Sequence, residues 1–346
     1  SGDAARVQRA ALLRTARKIM QGELHLPDYV FPPSTQGDPM KSLIAPVLAA
    51  SLAVAAPQAL AWPDKLITII VPTAPGGGND AMARVVAQKM NTLLGQSIIV
   101  DNRPGANGSI ASEYVARARP DGYTLMFGYI ATHAMNPALQ KLRYDPLKDF
   151  EPIGLVGYSP TLMVAHPNTP VKDVKDLVAQ LKAKPDKYSY ASAGNGTAPH
   201  FAAELFKLST GTSMVHVPYK GSAPAVTDTL SGQTQFMFPS LFTAVPFVKS
   251  GKLRALAVAG PKRSALLPDV PTLKEAGVEG VDVTQWYAFF APAKTPRPII
   301  DQLSKALNQV LADKEVVKKI EGHGAEVASS SPEQLRALVQ AELGKW

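Results

Sequence analysis

Eight residues, Thr73-Ala74-Pro75-Gly76-Gly77-Gly78-Asn79-Asp80, carry the densest chemical signal in this 346-residue chain. They follow an apolar, strand-like run (residues 66–71) and precede a helical run (81–94). Three consecutive glycines let a ligand approach the backbone with no Cβ atoms in the way. The unpaired N–H groups of a helix start, at the positive end of the helix dipole, then favour an anion. Asp80, in the first turn, is expected to cap the helix, with contact to a ligand ammonium group as the alternative.

A second unit repeats the outline. Residues 188–192 read as a strand, Ala193-Gly194-Asn195-Gly196-Thr197 as a loop, and residues 198–209 as a helix with His200 in its first turn. Either loop alone is equally well an ordinary strand–helix connection with glycine for turn geometry. The pair points to an anion cleft with two walls, because open parallel sheets bind ligands at the C-terminal ends of their strands. Tyr219 and Lys220 follow a further strand-like run (214–218) and either close over the ligand or are exposed turn residues. Valine at Gly77 is expected to abolish binding and leave the fold intact.

Other chemistry is missing. No Gly-x-Ser-x-Gly elbow, His-Glu-x-x-His motif or Walker lysine loop occurs. His200 and Glu204 stand four apart on a helix, but with no cysteine and no adjacent second histidine no metal is expected. His200 reads instead as a hydrogen-bonding residue near Asn195. Gly76, Gly78 and Ala81, with Asp101 further on, trace the outline of a dinucleotide fingerprint. Pro72 and Pro75 open the turn that such a fingerprint needs tight, and an exported chain meets little NAD. A dinucleotide-dependent enzyme is therefore the lesser alternative, and no cofactor is expected.

The elements around these loops alternate strand and helix, which argues for mainly parallel sheets covered on both faces. Separate strands are expected at 153–156 and 161–165, and a helix at 270–276. The formal charge is +8; six basic and four acidic residues precede Trp62, leaving +6 on residues 62–346. The basic residues are scattered, without the stripe or aromatic interleaving of a nucleic-acid surface. No nucleic-acid partner is expected; a mild positive field attracts small anions.

From Met40 the chain runs Met40-Lys41-Ser42, then apolar residues 43–56, then Ala59-Leu60-Ala61. That is the pattern of a secretory signal peptide over residues 40–61. Its apolar run is short of the ~20 residues of a membrane span. Residues 1–39 begin with Ser1, fit no part of this scheme, and read as upstream sequence outside fold reasoning. The absence of cysteine removes both disulfides and a lipoprotein anchor, so a free periplasmic protein is expected. The remaining length is more than one small core needs and suggests two lobes.

The ordered motifs resemble a known family. Val71-Pro72-Thr73-Ala74-Pro75-Gly76-Gly77-Gly78-Asn79-Asp80, Asn102-Arg103-Pro104-Gly105-Ala106-Asn107-Gly108, Pro120-Asp121-Gly122-Tyr123-Thr124-Leu125, Asp149-Phe150-Glu151-Pro152-Ile153, Val217-Pro218-Tyr219-Lys220-Gly221 and Trp286-Tyr287-Ala288-Phe289-Phe290-Ala291-Pro292 are similar to those of the Bug-type periplasmic receptors of tripartite tricarboxylate transporters. The resemblance implies an α/β, two-lobed Venus-flytrap fold of the periplasmic-binding-protein type, without catalytic activity. It places lobe 1 at residues 62–164 plus 287–346 and lobe 2 at 165–286, with hinge crossings near 164–166 and 285–287. It implies a small organic carboxylate ligand held by residues 73–80 and 194–200, permease subunits as partners, and a monomeric receptor. A receptor that signals to a sensor kinase is the alternative output. Thr73 stands where the family often has an aromatic residue, and Pro239-Ser240 where many members have an acidic one.

Overall fold

The computed structural model describes residues 62–346. The expected signal peptide and the extension before it lie outside the described residues.

Strand β1 (Ile67–Val71) is built of β-branched residues, and Ile67, Ile69, Ile70 and Val71 are all fully buried. Burial on both faces is what a central parallel strand requires. It leads through the glycine loop into α1 (Gly78–Leu94), which ends at Gly95 in the left-handed region. Next come β2 (Ile98–Asn102), a short 3-10 turn (Ala106–Gly108), α2 (Ser109–Ala116) and β3 (Thr124–Tyr129). A single π turn (Ala131–Met135) runs into the four-residue α3 (Asn136–Leu139). The chain then enters β4 (Phe150–Ala165), the longest strand at 16 residues.

The middle of the chain contributes α4 (Val174–Ala183), β5 (Ser189–Ser192), α5 (Ala198–Thr210), β6 (Val215–Pro218), α6 (Ser222–Leu230), β7 (Phe236–Met237), α7 (Leu241–Lys249) and β8 (Arg254–Ala259). It returns through β9 (Thr284–Pro292) to α8 (Arg297–Ala312), α9 (Lys314–Glu321), β10 (Glu326–Val327) and α10 (Pro332–Lys345). Helix α8 buries Ile300, Leu303, Leu307 and Val310, an i, i+3, i+7, i+10 stripe laid against β4 and α1.

The strands divide into two sheets that share β4. One has the order β2-β1-β3-β9-β4 with β10 beyond; in the other β4 lies between β8 and the series β7-β5-β6. Strands β1–β3 pair in parallel, as do β5–β7. Among the described residues every antiparallel strand pairing involves β4 or β9. These two strands carry the chain between the sheets, so they run against its winding direction.

Two expectations about elements are corrected. Segments 153–156 and 161–165 are one continuous strand, which pairs β9 as far as Pro160 and β8 from Thr161. The segment at 270–276 is a turn, not a helix. Val258 bridges Thr272 there, and Thr272 and Glu275 close a reciprocal side-chain-to-backbone pair (2.7 and 3.1 Å) that stops after one turn at Gly277.

Candidate functional site

Between the C-terminal ends of β1, β2 and β3 on one side and of β5 and β6 on the other lies a cavity of about 750 Å3. Of the residues expected at the site, Thr73, Asn79, Gly194, Asn195, Gly196, Thr197, His200, Tyr219 and Lys220 line it. Ala74, Gly76, Gly77, Gly78 and Asp80 do not. The two loops do face each other, but the glycine triplet lies behind the wall.

Its geometry explains the shift. Helix α1 starts at Gly78, with Gly77 as an extended N-cap, three residues earlier than the sequence suggests. A Cβ at Gly78 would meet Thr243 Oγ1 at 2.7 Å and Ser240 Oγ at 3.3 Å, so this glycine admits close packing against the start of α7. At Gly77 a Cβ would meet only the Ala74 carbonyl, at 3.7 Å. Gly77 has room for a Cβ and lies off the cavity, so the structure supplies no steric reason for valine there to abolish binding.

Asp80 is the loop's anchor. The residue is 4 % exposed, and its carboxylate accepts from the Gly76 N–H (3.0 Å), Arg84 Nε (2.9 Å) and Asn102 Nδ2 (3.0 Å). Burial alone would raise its pKa, but these hydrogen bonds outweigh burial and hold the carboxyl below the usual range. Asn102 Nδ2 also donates to the Thr73 carbonyl (3.0 Å). The acid thus fixes the loop, and its oxygens are turned to these protein donors instead of the cavity.

The second loop is held by its own backbone. Thr197 Oγ1 donates to the Gly194 carbonyl (2.7 Å), and the Gly221 N–H to the Ala193 carbonyl (3.0 Å). The Gly196 N–H donates to His200 Nδ1 (3.2 Å), as expected of a hydrogen-bonding histidine. Accepting at Nδ1 leaves the neutral ring's proton on Nε2. His200 stacks on His216 (4.4 Å), which stacks on Tyr190 (4.8 Å), whose hydroxyl donates to Glu204. Burial lowers the pKa of His200; burial and then the neighbouring His200 push His216 down to about 4. The stack is uncharged at neutral pH. Tyr219 donates to Asp228 (2.7 Å), and burial and that carboxylate push its pKa up to about 12.

Several lining residues were not anticipated: Asn107, Tyr129, Asn136, Gln140 and Gln285. Asn107 occupies the left-handed region (φ 51) between Gly105 and Gly108, both at positive φ. That Gly-Ala-Asn-Gly pattern was the available signal, since Asn tolerates this conformation better than most residues. Asn136 reaches the wall because the π turn shifts the helix register ahead of it, which no periodicity in the sequence announces.

The chemistry on offer is that of binding. Among the described residues, Lys220 is the one formally charged side chain lining the cavity, and no carboxylate lines it. Thr73 Oγ1 and Asn79 Nδ2 are buried at the wall with no hydrogen-bond partner among the described residues. A buried donor without a partner is costly, so these two atoms suit a ligand or water acceptor. Ser192 Oγ lies 2.6 Å from His216 Nε2, but Ser192 is fully buried and off the cavity, so the pair presents no reachable nucleophile. Asp101 pairs with Arg103 (2.9 Å) and does not line the cavity either. Among the described residues no group of three or more metal-ligating side chains occurs.

A family model described as tripartite tricarboxylate transporter family receptor matches residues 82–346. The chain belongs to this receptor family. Protein BugT of Bordetella pertussis is 36 % identical over 303 residues, covering 87 % of this chain and 93 % of BugT. The Rhodopseudomonas palustris protein Rpa4515, solved with adipate, is 35 % identical with a TM-score of 0.80, over 82 % of this chain and 96 % of its own. MatC of the same organism, solved with bound malate, is 35 % identical with a TM-score of 0.79, over 82 % and 98 %. At this identity the likeness establishes the two-lobed periplasmic-binding-protein fold that the motifs imply.

One property of this tripartite tricarboxylate receptor follows from a residue off the cavity. His133, in the π turn, is fully buried, stacked on Phe290 at 3.9 Å, with Nε2 unpartnered among the described residues. Burial pushes its pKa down to about 3. Between that value and about 6.5 the unfolded chain binds the proton and the folded chain does not, so acidification destabilises the fold. At pH 5 the loss from this one residue is about 2 kcal/mol relative to pH 7.5. His133→Phe, which keeps the stack, should flatten the dependence of the melting midpoint on pH between 7.5 and 5. An equally steep dependence in the variant would contradict the assignment.

Proposed function

We propose that this chain is a periplasmic solute receptor that captures one small organic carboxylate between its lobes and delivers it to the permease subunits of a tripartite tricarboxylate transporter. The observation that carries this reading is the cavity wall. Two strand–loop–helix units face one cavity, with free hydrogen-bond donors at Thr73 and Asn79, Lys220 at its edge, and no opposing carboxylate. Helix α5 points its N-terminus toward the same space, since Thr197 is its N-cap and lines the cavity. The adipate and malate held by the two structural relatives belong to the same ligand class.

The lobes of this proposal are residues 62–160 with 287–346, and 161–286, hinged where β4 and β9 pass between the sheets; residues 161–164 pair with β8, so the first crossing lies ahead of the expected 164–166. Pairing on β4 changes partner between Pro160 and Thr161, and Gln285 on β9 lies opposite Ser159. An anion entering the cleft satisfies groups on both walls and shifts the population toward the closed form. No covalent step or cofactor enters this cycle, and the receptor acts as a monomer exported by its signal peptide.

A thermal-shift panel of mono-, di- and tricarboxylates on protein stripped of ligand by unfolding and refolding tests the reading. A ligand at a hundred times its dissociation constant adds about 2.7 kcal/mol of stability, so one or a few acids should raise the midpoint clearly. A panel without any shift, alongside a shift with NAD, would replace the receptor reading with the dinucleotide one.

A further inference from the structure

The polar residues on the cavity wall fall into two groups when every donor is assigned. Asn107 Nδ2 has two hydrogens; one goes to Asn136 Oδ1 (2.6 Å) and the other to the Gly196 carbonyl (2.8 Å). Asn107 Oδ1 accepts from the Tyr129 hydroxyl (3.2 Å). Asn136 Nδ2 donates to the Asn107 carbonyl (3.0 Å) and to Ser109 Oγ (3.3 Å). The side-chain amide donors of Asn107 and Asn136 are all occupied, and so is the Tyr129 hydroxyl donor. An amide whose hydrogens are all in use has none left for a ligand. Thr73 and Asn79, by contrast, hold unpartnered atoms in the same cavity.

The Asn107–Gly196 bond also crosses the cleft. Asn107 follows β2 of the first sheet, and Gly196 follows β5 of the second. The Gly196 peptide is held at both ends, its N–H by His200 on its own side and its carbonyl by Asn107 from the opposite side. Leu139 packs onto the same glycine, so closely that an added Cβ would overlap its Cδ1.

We infer that Asn107 is a positioning residue that joins the two lobes through the Gly196 carbonyl, adding affinity for every ligand alike without reading which ligand is bound. Both partners in the bond are protein groups, so its contribution favours closure whatever the cavity holds. One neutral hydrogen bond is worth about a fivefold factor in such an equilibrium. Affinity for any ligand scales with the closed fraction, so removing the bond lowers all affinities by the same factor. Selectivity stays with the free donors at Thr73 and Asn79.

The test is Asn107→Gly in the full chain, chosen because glycine accepts the φ of 51 without strain. The chain has no cysteine, so Arg119→Cys and Lys184→Cys give one dye on each lobe for energy transfer. Without added ligand, Asn107→Gly should move the distance distribution toward longer separations. Titration calorimetry with two carboxylates that bind should show weaker binding of both by one common factor, up to about fivefold, with their ratio unchanged. A changed ratio would make Asn107 a ligand contact and overturn the inference, as would unchanged distances together with unchanged affinities. Tyr129→Phe, which removes only the 3.2 Å bond to Asn107, should produce a smaller shift of the same sign and carries the test if glycine unsettles the loop. The affinity readout rests on the receptor reading; the distance readout does not, so the two can fail separately.

Discussion

Gly196→Val should weaken ligand binding by about two orders of magnitude and leave a folded protein. Gly196 adopts φ +76, in the left-handed region that a β-branched residue resists. Its added Cβ would overlap Leu139 Cδ1 and approach Asn107 Nδ2 at 3.2 Å, both from across the cleft. Overpacking of this kind costs about 1–3 kcal/mol, and loss of the Asn107 bond about 1 kcal/mol more. Together they approach 3 kcal/mol, which is about a hundredfold in a dissociation constant. The overlap exists only when the walls approach, so the penalty falls on closure more than on folding. Calorimetric titration with the best acid from the panel, beside a circular-dichroism melt, separates the two. Wild-type affinity in this variant would mean that the Gly196 loop does not take part in closure.

Asp80→Ala should have the largest effect on stability, about 3 kcal/mol, because it removes a charged acceptor from a buried network. The Gly76 N–H and the Asn102 amide would each lose a partner, whereas Arg84, 51 % exposed, can turn to solvent. For a chain of this size the midpoint should fall by roughly 6–12 °C. Binding should fall as well, since Asn102 also holds the Thr73 carbonyl. The pH dependence has a definite sign. The folded carboxyl lies below its ordinary value, so its contribution is complete above about pH 4 and is lost as pH falls through the folded pKa. A midpoint within a degree or two of wild type at pH 7 would show that the loop holds without the acid.

The sequence made some of this visible and concealed the rest for physical reasons. Both strand–loop–helix units were legible because the strand runs, the glycines and the following helical period are local signals. Helix α4 starts on another such local signal, its N-cap Asp173 accepting from the Asp176 N–H. Asp80 was misread because a first-turn acid is ordinarily a cap, whereas its partners Arg84 and Asn102 lie four and 22 residues away. Asn107 and Asn136 stand 29 residues apart, and only folding makes one network of them. The turn at 270–276 looked helical because Leu273 and Ala276 have helical spacing. Its bridge to β8 is a long-range fact that composition does not express. The break between 156 and 161 was equally misleading, because Gly157 and Pro160 punctuate most chains but here sit inside β4, where Gly157 lets the β10 backbone pass close by.

That shared strand has a mechanical consequence. Hydrogen-bonded ladders fix register along the strands, whereas the twist between neighbouring strands ranges over roughly 10–35° from sheet to sheet. With β4 laced to β9 and β10 along one half and to β7 and β8 along the other, neither sheet can shift lengthwise against its neighbour without breaking a ladder. The receptor is in effect a torsion bar with a jaw on each half. In the closure proposed above, that lacing would bring the two walls together at one alignment, which is what a bond between a single carbonyl at Gly196 and a single amide at Asn107 requires.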